Sequence, residues 1–154
     1  MKPRVVAAVL AAVIALASAF IPSWEGDAPI GYRDVVGVAS ACYGHTGADV
    51  VVGVRYSPEQ CKAWLQSDVG KAAAGVGDCV TAPLKIYEWA AFTSLAYNIG
   101  VTSFCKSSSA RLANAHDMPG ACRSIELYVY AGGRRLEGLV RRRAAERAMC
   151  EGRA

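Results

Sequence analysis

The sequence predicts an α+β, mainly α fold: a small N-terminal lobe carrying a short antiparallel sheet, a connecting helix, and a helical C-terminal lobe. Three observations predict it. Between Gly31 and Val54 the chain is rich in Gly and Val, with apolar runs broken by turn residues, the pattern of short strands joined by tight turns. Ser57-Pro58-Glu59-Gln60 combines a capping hydroxyl, Pro at the first helical position and Gln three residues past the cap, which starts a helix. Beyond residue 80, apolar residues recur at helical spacing in segments separated by Gly, Ser and Pro.

The elements follow in order. Val5–Ile21 is seventeen residues without a charge, seven of them Ala. After Pro22-Ser23-Trp24, Tyr32–Val38 and Cys42–Gly47 read as strands with turns. The connecting helix places Cys61, Trp64, Leu65, Val69 and Ala72 at helical spacing, runs to about Ala74, and is closed by Gly75-Val76-Gly77. A second long helix fits Pro83–Ile99, with Gly100 at its exit, and further helices fit Ser107–Ala115, Pro119–Tyr130 and Gly138–Cys150. The domain reading is therefore an N-terminal segment, residues 1–22, and one folded domain, 23–154. Within that domain the N-lobe covers about 23–56, the connecting helix about 57–75 and the C-lobe about 80–154. A cleft between two such lobes would admit an extended polymer.

Lys2 and Arg4 precede the apolar run, which orients its N-terminus toward the cytoplasm. Ala17-Ser18-Ala19 is a usable signal-peptidase site. An uncleaved anchor is the competing reading. Seventeen helical residues span roughly 25 Å at 1.5 Å per residue, short of the roughly 30 Å hydrocarbon core. Such an anchor would hold for a time and then let go. Both readings deliver Glu25 and all that follows to the far side of the membrane.

The net charge is +4. From Gly133 onward there are seven Arg and three Glu, so this segment alone carries 7 − 3 = +4. A basic surface suits cell wall, nucleic acid or lipid headgroups, and charge does not choose among them. The six cysteines, Cys42, Cys61, Cys79, Cys105, Cys122 and Cys150, include no CxxC pair, so metal-site spacing is absent. An even number behind an export segment favours disulfides, and six cysteines allow 15 pairings.

Glycoside cleavage needs an acid for the leaving oxygen and a second carboxylate to handle charge or water. Glu25, Asp27 and Asp34 lie at the start of the sheet region. Glu25 can sit at a helix end with Asp34 on the first strand, while Asp27 reads as a turn residue. Ser40 follows with a hydroxyl able to orient a water. Two carboxylates nine apart are by themselves a common coincidence.

The surrounding motifs change that. Glu25-Gly26, Tyr32-x-Asp34, Gly37 and Gly44-His45-Thr46-Gly47 together resemble the active-site segment of phage-type lysozymes, glycoside hydrolase family 24. The resemblance continues through Tyr56-Ser57-x-Glu59-x-Cys61 with Asp68, Leu95–Gly100, Phe104, Tyr130–Gly133, and Gly138-Leu139-x-Arg141-Arg142 with Glu146 and Cys150. It covers about Ser23–Cys150. It implies a lysozyme-like fold and inverting hydrolysis of the β-1,4 bond between N-acetylmuramic acid and N-acetylglucosamine. Glu25 would be the acid, kept protonated by a partly apolar setting, with Asp34 and Ser40 directing the water. The family has Thr where this chain has Ser40, which keeps the hydroxyl but loses the methyl that restricts χ1.

The resemblance also implies lesser roles. One of Arg141, Arg142 and Arg143, with Arg142 the first choice, would pair with Glu25 and tune it, Asn98 would touch the sugar, and Trp24 would form a wall beside the acid. His45 and Asp68 would be a structural pair. Trp64 and Trp89 read as core. It implies the pairings Cys42–Cys61, Cys122–Cys150 and Cys79–Cys105, and no metal or organic cofactor. The partner it implies is peptidoglycan rather than nucleic acid, and the expected state is a monomer. Glu25 stands only four residues past the apolar run, a placement that resembles the signal-anchor-release endolysins. The expectation is export to the host periplasm with initial tethering to the inner membrane through residues 5–21, the acid being held idle against the bilayer until release. The active protein would keep Met1. The alternatives are a catalytically impaired wall-binding or lysis-regulating protein on the same fold, for which Ser40 is the only support, and a disulfide-rich exported protein that binds an acidic partner. The latter leaves Glu25, Asp34 and the Gly-His turn unexplained.

Overall fold

The computed structural model describes residues 3–153, with side chains from Val6 onward; Lys2 and the side chain of Arg4, the charged flank, lie outside what is described. The chain forms two compact units, Ser18–Asp68 and Met1–Ala17 with Val69–Ala154.

The first unit holds a short helix and the sheet. Helix α2 (Pro22–Glu25) follows α1 (Pro3–Phe20). Strands β1 (Ala28–Arg33), β2 (Ala39–Cys42) and β3 (His45–Thr46) are antiparallel in that order. Tyr32 pairs with Ser40, Ser40 with Thr46, and Ala41 with His45. The strand expected across Tyr32–Val38 is instead a strand end and a turn. The Asp34 carboxylate accepts hydrogen bonds from the backbone N–H of Val36 (3.0 Å) and Val38 (2.8 Å), so the side chain closes the turn in place of a ladder.

Ala41, Cys42, Val50 and Cys61 form the buried centre of this unit, with Tyr43, Tyr56 and Trp64 packed against it and the Cys42–Cys61 disulfide tying β2 to α3 (Pro58–Cys79). The His45 ring stacks on Trp64, centroids 4.3 Å apart, and the Tyr56 ring meets Trp64 edge-on. His45 Nδ1 lies 2.6 Å from Asp68 Oδ2 and Nε2 lies 3.2 Å from Asp49 Oδ1. Ionised carboxylates only accept, so a ring carrying both protons donates to both. The hydrogen bond from His45 holds the Asp49 carboxyl below its ordinary value.

Ser57 caps α3 by accepting from the Gln60 N–H at 3.1 Å. The helix does not stop near Ala74 but runs on to Cys79. Its two late glycines serve packing rather than termination. A Cβ on Gly75 would stand 2.4 Å from Val101 Cγ1, and one on Gly77 would stand 2.8 Å from the Trp89 ring. Trp89 is fixed there by donating from Nε1 to the Ala73 carbonyl at 2.9 Å.

The second unit is helical. It contains α4 (Ile86–Ile99), α5 (Val101–Cys105), α6 (Ser108–Asn114), α7 (Met118–Ser124), a 3-10 turn (Ile125–Leu127) and α8 (Glu137–Cys150). Helix α4 begins at Ile86 rather than Pro83 because Glu88 turns back to accept from the Lys85 N–H at 2.8 Å. The helix expected through Tyr130 ends at Leu127, and Tyr130 belongs to a hairpin of β4 (Tyr130–Ala131) and β5 (Arg134–Arg135). Gly132 and Gly133, both at positive φ, make the two-residue turn that such a hairpin requires. Disulfides Cys79–Cys105 and Cys122–Cys150 fasten α3 to α5 and α7 to α8.

The N-terminal segment, read from sequence as standing apart, is partly buried. Val6–Glu25 is helical and apolar enough to cross a membrane, with mean hydropathy 2.3, yet Val13, Ala17 and Ile21 are fully buried. Their four-residue spacing puts them on one side of a helix. Ile14 reaches Gly70 on α3, its Cδ1 3.7 Å from where a Cβ would stand. Val6 and Leu16 remain exposed.

Two predictions follow from this packing. Val13→Ala lowers the unfolding free energy by about 2 kcal/mol, whereas Leu16→Ala stays within about 0.5 kcal/mol. Equal effects in denaturant titrations would show that α1 is not docked. Asp49 has a depressed carboxyl value, so its stabilising contribution is complete above about pH 4 and is lost as pH falls through the lower folded value. Asp49→Asn therefore flattens the acid limb of the stability curve below about pH 4; an unchanged limb would rule out the contact.

Candidate active site

Glu25 ends α2, and the chain leaves it through Gly26 at φ +70°. The Gly44 turn passes beside its carboxyl: a Cβ on Gly44 would stand 3.9 Å from Glu25 Oε2, and Gly44 has φ +82°. A residue free to adopt that conformation without a side chain leaves space next to the carboxyl. Trp24 precedes Glu25, with its ring 5.9 Å from that of Phe20. The Trp24 indole N–H is buried and has no hydrogen-bond partner among the described residues.

Asp34 lies just past β1 rather than on it. Both turn amides reach its Oδ1, and neither uses Oδ2. Ser40 is 3% exposed in the middle strand, and its hydroxyl has only a long contact, 3.4 Å, to the Val38 carbonyl. Cross-strand partners share a face, so Tyr32 and Thr46 flank Ser40. Both residues stand in the motifs read from sequence, but their place beside Ser40 emerges only from the strand register. Glu25, Trp24, Asp34 and Ser40 thus belong to one compact unit, as do His45 and Asp68.

Asn98 and Arg142 belong to the other unit. Arg142 and Arg143 of α8 share the buried carboxylate of Glu146. Arg142 Nε donates to Oε1 at 3.0 Å and Arg143 Nη1 to Oε2 at 2.6 Å. Ser94 of α4 donates to Oε1 at 2.6 Å. Arg143 also donates from Nε to the Tyr128 carbonyl at 2.8 Å and from Nη2 to Asn98 Oδ1. Arg143 and Glu146 are fully buried and Arg142 is 3% exposed. Burying such charges is tolerated when every one is paired and hydrogen-bonded. Sequence reasoning weighed Arg141 to Arg143 as partners of Glu25 and placed Glu146 in the same motif; it did not pair Arg142 and Arg143 with Glu146, although separations of four and three on a helix were a usable signal.

Two pockets accompany these groups. One, about 480 Å³, lies in the sheet unit and is lined by Asp27, Tyr43, Arg55 and Tyr56 among others. The other, about 460 Å³, lies in the helical unit with Asn98 and Arg143 in its lining. Among the described residues, no group of three or more His, Cys, Asp or Glu is arranged to hold a metal ion.

Comparison with known proteins agrees with this architecture. The SAR-endolysin of Enterobacteria phage P21 is 36% identical over 97% of this chain and 94% of its own length. The muramidase domain of SpmX from Asticaccaulis excentricus superposes with TM-score 0.81 and 27% identity, over 87% of this chain and 93% of that one. The active form of P1 phage endolysin Lyz shares the fold, with TM-score 0.79 at 22% identity over 94% and 93%. The phage lysozyme family model matches residues 22–146, and the chain belongs to the phage lysozyme family.

Proposed function

We propose that this protein is a phage endolysin, a muramidase that hydrolyses the β-1,4 bond between N-acetylmuramic acid and N-acetylglucosamine in peptidoglycan with inversion. The observation that carries this reading is the grouping of Glu25, Asp34 and Ser40 in one compact unit, with the Gly44 turn leaving room beside the Glu25 carboxyl. Glu25 gives its proton to the glycosidic oxygen as the bond breaks. Asp34 Oδ2 takes a proton from water as that water attacks the anomeric carbon from the opposite face, and Ser40 orients it. Asn98 contacts the substrate, Arg142 tunes Glu25, and Trp24 walls the acid. The reaction needs no cofactor, and the protein works as a monomer.

The same reading places the enzyme in the host periplasm, tethered first to the inner membrane through residues 5–21 and active after release. Two features support it. Relatives covering most of the chain are SAR-endolysins, and α1 is apolar enough to span a membrane while having a side that the folded protein buries.

The test is loss of turbidity of outer-membrane-permeabilised Gram-negative cells treated with the oxidised full-length protein. Glu25→Gln lowers the rate by a factor on the order of 10²–10⁴, the usual worth of a general acid. Clearing that survives Glu25→Gln would show that the acid is another residue. Ser40→Thr keeps or raises the rate and Ser40→Ala lowers it; an inactive Ser40→Thr beside an active Ser40→Ala would remove Ser40 from the mechanism.

A further inference from the structure

We propose that Glu146 and Arg143 are positioning residues that hold the Asn98 amide with its N–H₂ toward the pocket, making Asn98 a one-way hydrogen-bond donor to a carbonyl or carboxylate oxygen of the substrate. The proposal deepens the muramidase reading and rests on it for the identity of the substrate.

The argument starts from the guanidinium of Arg143, which can only donate. Its Nε is taken by the Tyr128 carbonyl and its Nη1 by Glu146 Oε2, so the plane cannot turn. Its Nη2 meets Asn98 Oδ1. Asn98 must therefore offer oxygen inward. A flipped amide would set N–H₂ against N–H, two donors face to face. Glu146 is itself fixed by Ser94 and Arg142 at Oε1, so the orientation is set from the buried interior outward. Asn98 is exposed at the end of α4, and its Nδ2 donors are what the orientation leaves for the pocket.

Ile99, Leu127, Leu136 and Leu139 give that pocket apolar walls, and Tyr128, Tyr130 and Arg143 line it too. In a mostly apolar site an oriented polar group helps to fix how a ligand lies. A donor there selects an acceptor oxygen. Peptidoglycan offers two sources, the N-acetyl carbonyls of the glycan and the carbonyls and carboxylates of its peptides.

The experiment compares full-length parent, Asn98→Asp, Glu146→Gln and the double variant, on intact sacculi and on peptide-free glycan strands. Asn98→Asp keeps an oxygen for Arg143 and removes the donor. It should leave Tm equal or higher, leave kcat within about twofold, and raise KM roughly tenfold, the worth of one good hydrogen bond. A merely structural Asn98 would leave KM unchanged, and that result overturns the proposal. Glu146→Gln should raise KM in the same direction, and the double variant should add nothing to Asn98→Asp; additive effects would overturn the positioning role. Should Glu146→Gln fail to fold, Ser94→Ala loosens the same carboxylate and replaces it. An effect on both substrates assigns the acceptor to the glycan, and an effect on intact sacculi alone assigns it to the peptide. Sacculus sedimentation in a Glu25→Gln background reads the same tenfold weakening as a Kd. A parent protein that clears no cells would defeat the muramidase reading, whereas unchanged binding in Asn98→Asp defeats this one.

Discussion

The apolar side of α1 has to be covered, and most of what distinguishes this chain depends on how. A helix of mean hydropathy 2.3 is stable in lipid, where every backbone group is satisfied within the helix. It is also stable against protein, provided a stripe of it is buried. Val13 and Ala17 supply that stripe, and the glycine at position 70 lets Ile14 come close to α3. The high Ala content fits both settings. It weakens the hold of lipid, because Ala contributes little to insertion, and it permits close approach between helices. The segment that reads from sequence as a membrane element is thus also a structural element of the folded protein.

Glu25 stands close to this helix in the chain. It ends the short helix α2, which follows α1. The helical unit contributes differently. There two guanidinium groups converge on one buried carboxylate, an arrangement that would be destabilising with any member missing. Its outcome is local order: the side chains of Arg142 and Asn98 are each held from behind, before any substrate arrives.

The sequence made some of this plain and concealed the rest for identifiable reasons. The Ser57 cap announced α3, because a capping hydroxyl followed by Pro is local chemistry. The end of α3 was concealed, because Gly75 and Gly77 carry the same signal whether they stop a helix or admit Val101 and the Trp89 ring. Tyr130 was drawn into a helix because its pattern is helical up to Leu127, and the Gly132-Gly133 turn that makes it a strand lies on its far side. Asp34 looked like a strand residue because alternation does not report which side chains turn back on their own backbone. The acid, the Gly-His turn and the cysteines stood out as an ordered set. The charges around Glu146 did not, since arginines on a predicted surface helix look solvated until their burial is known.

The claim that ties these parts together is that one helix serves first as anchor and then as part of the fold, so that it must survive in the active enzyme. N-terminal sequencing of the active protein recovered from the periplasm tests this most directly. The account predicts a chain that begins at Met1. An active chain that begins at Phe20, cleaved after Ala17-Ser18-Ala19, would contradict it.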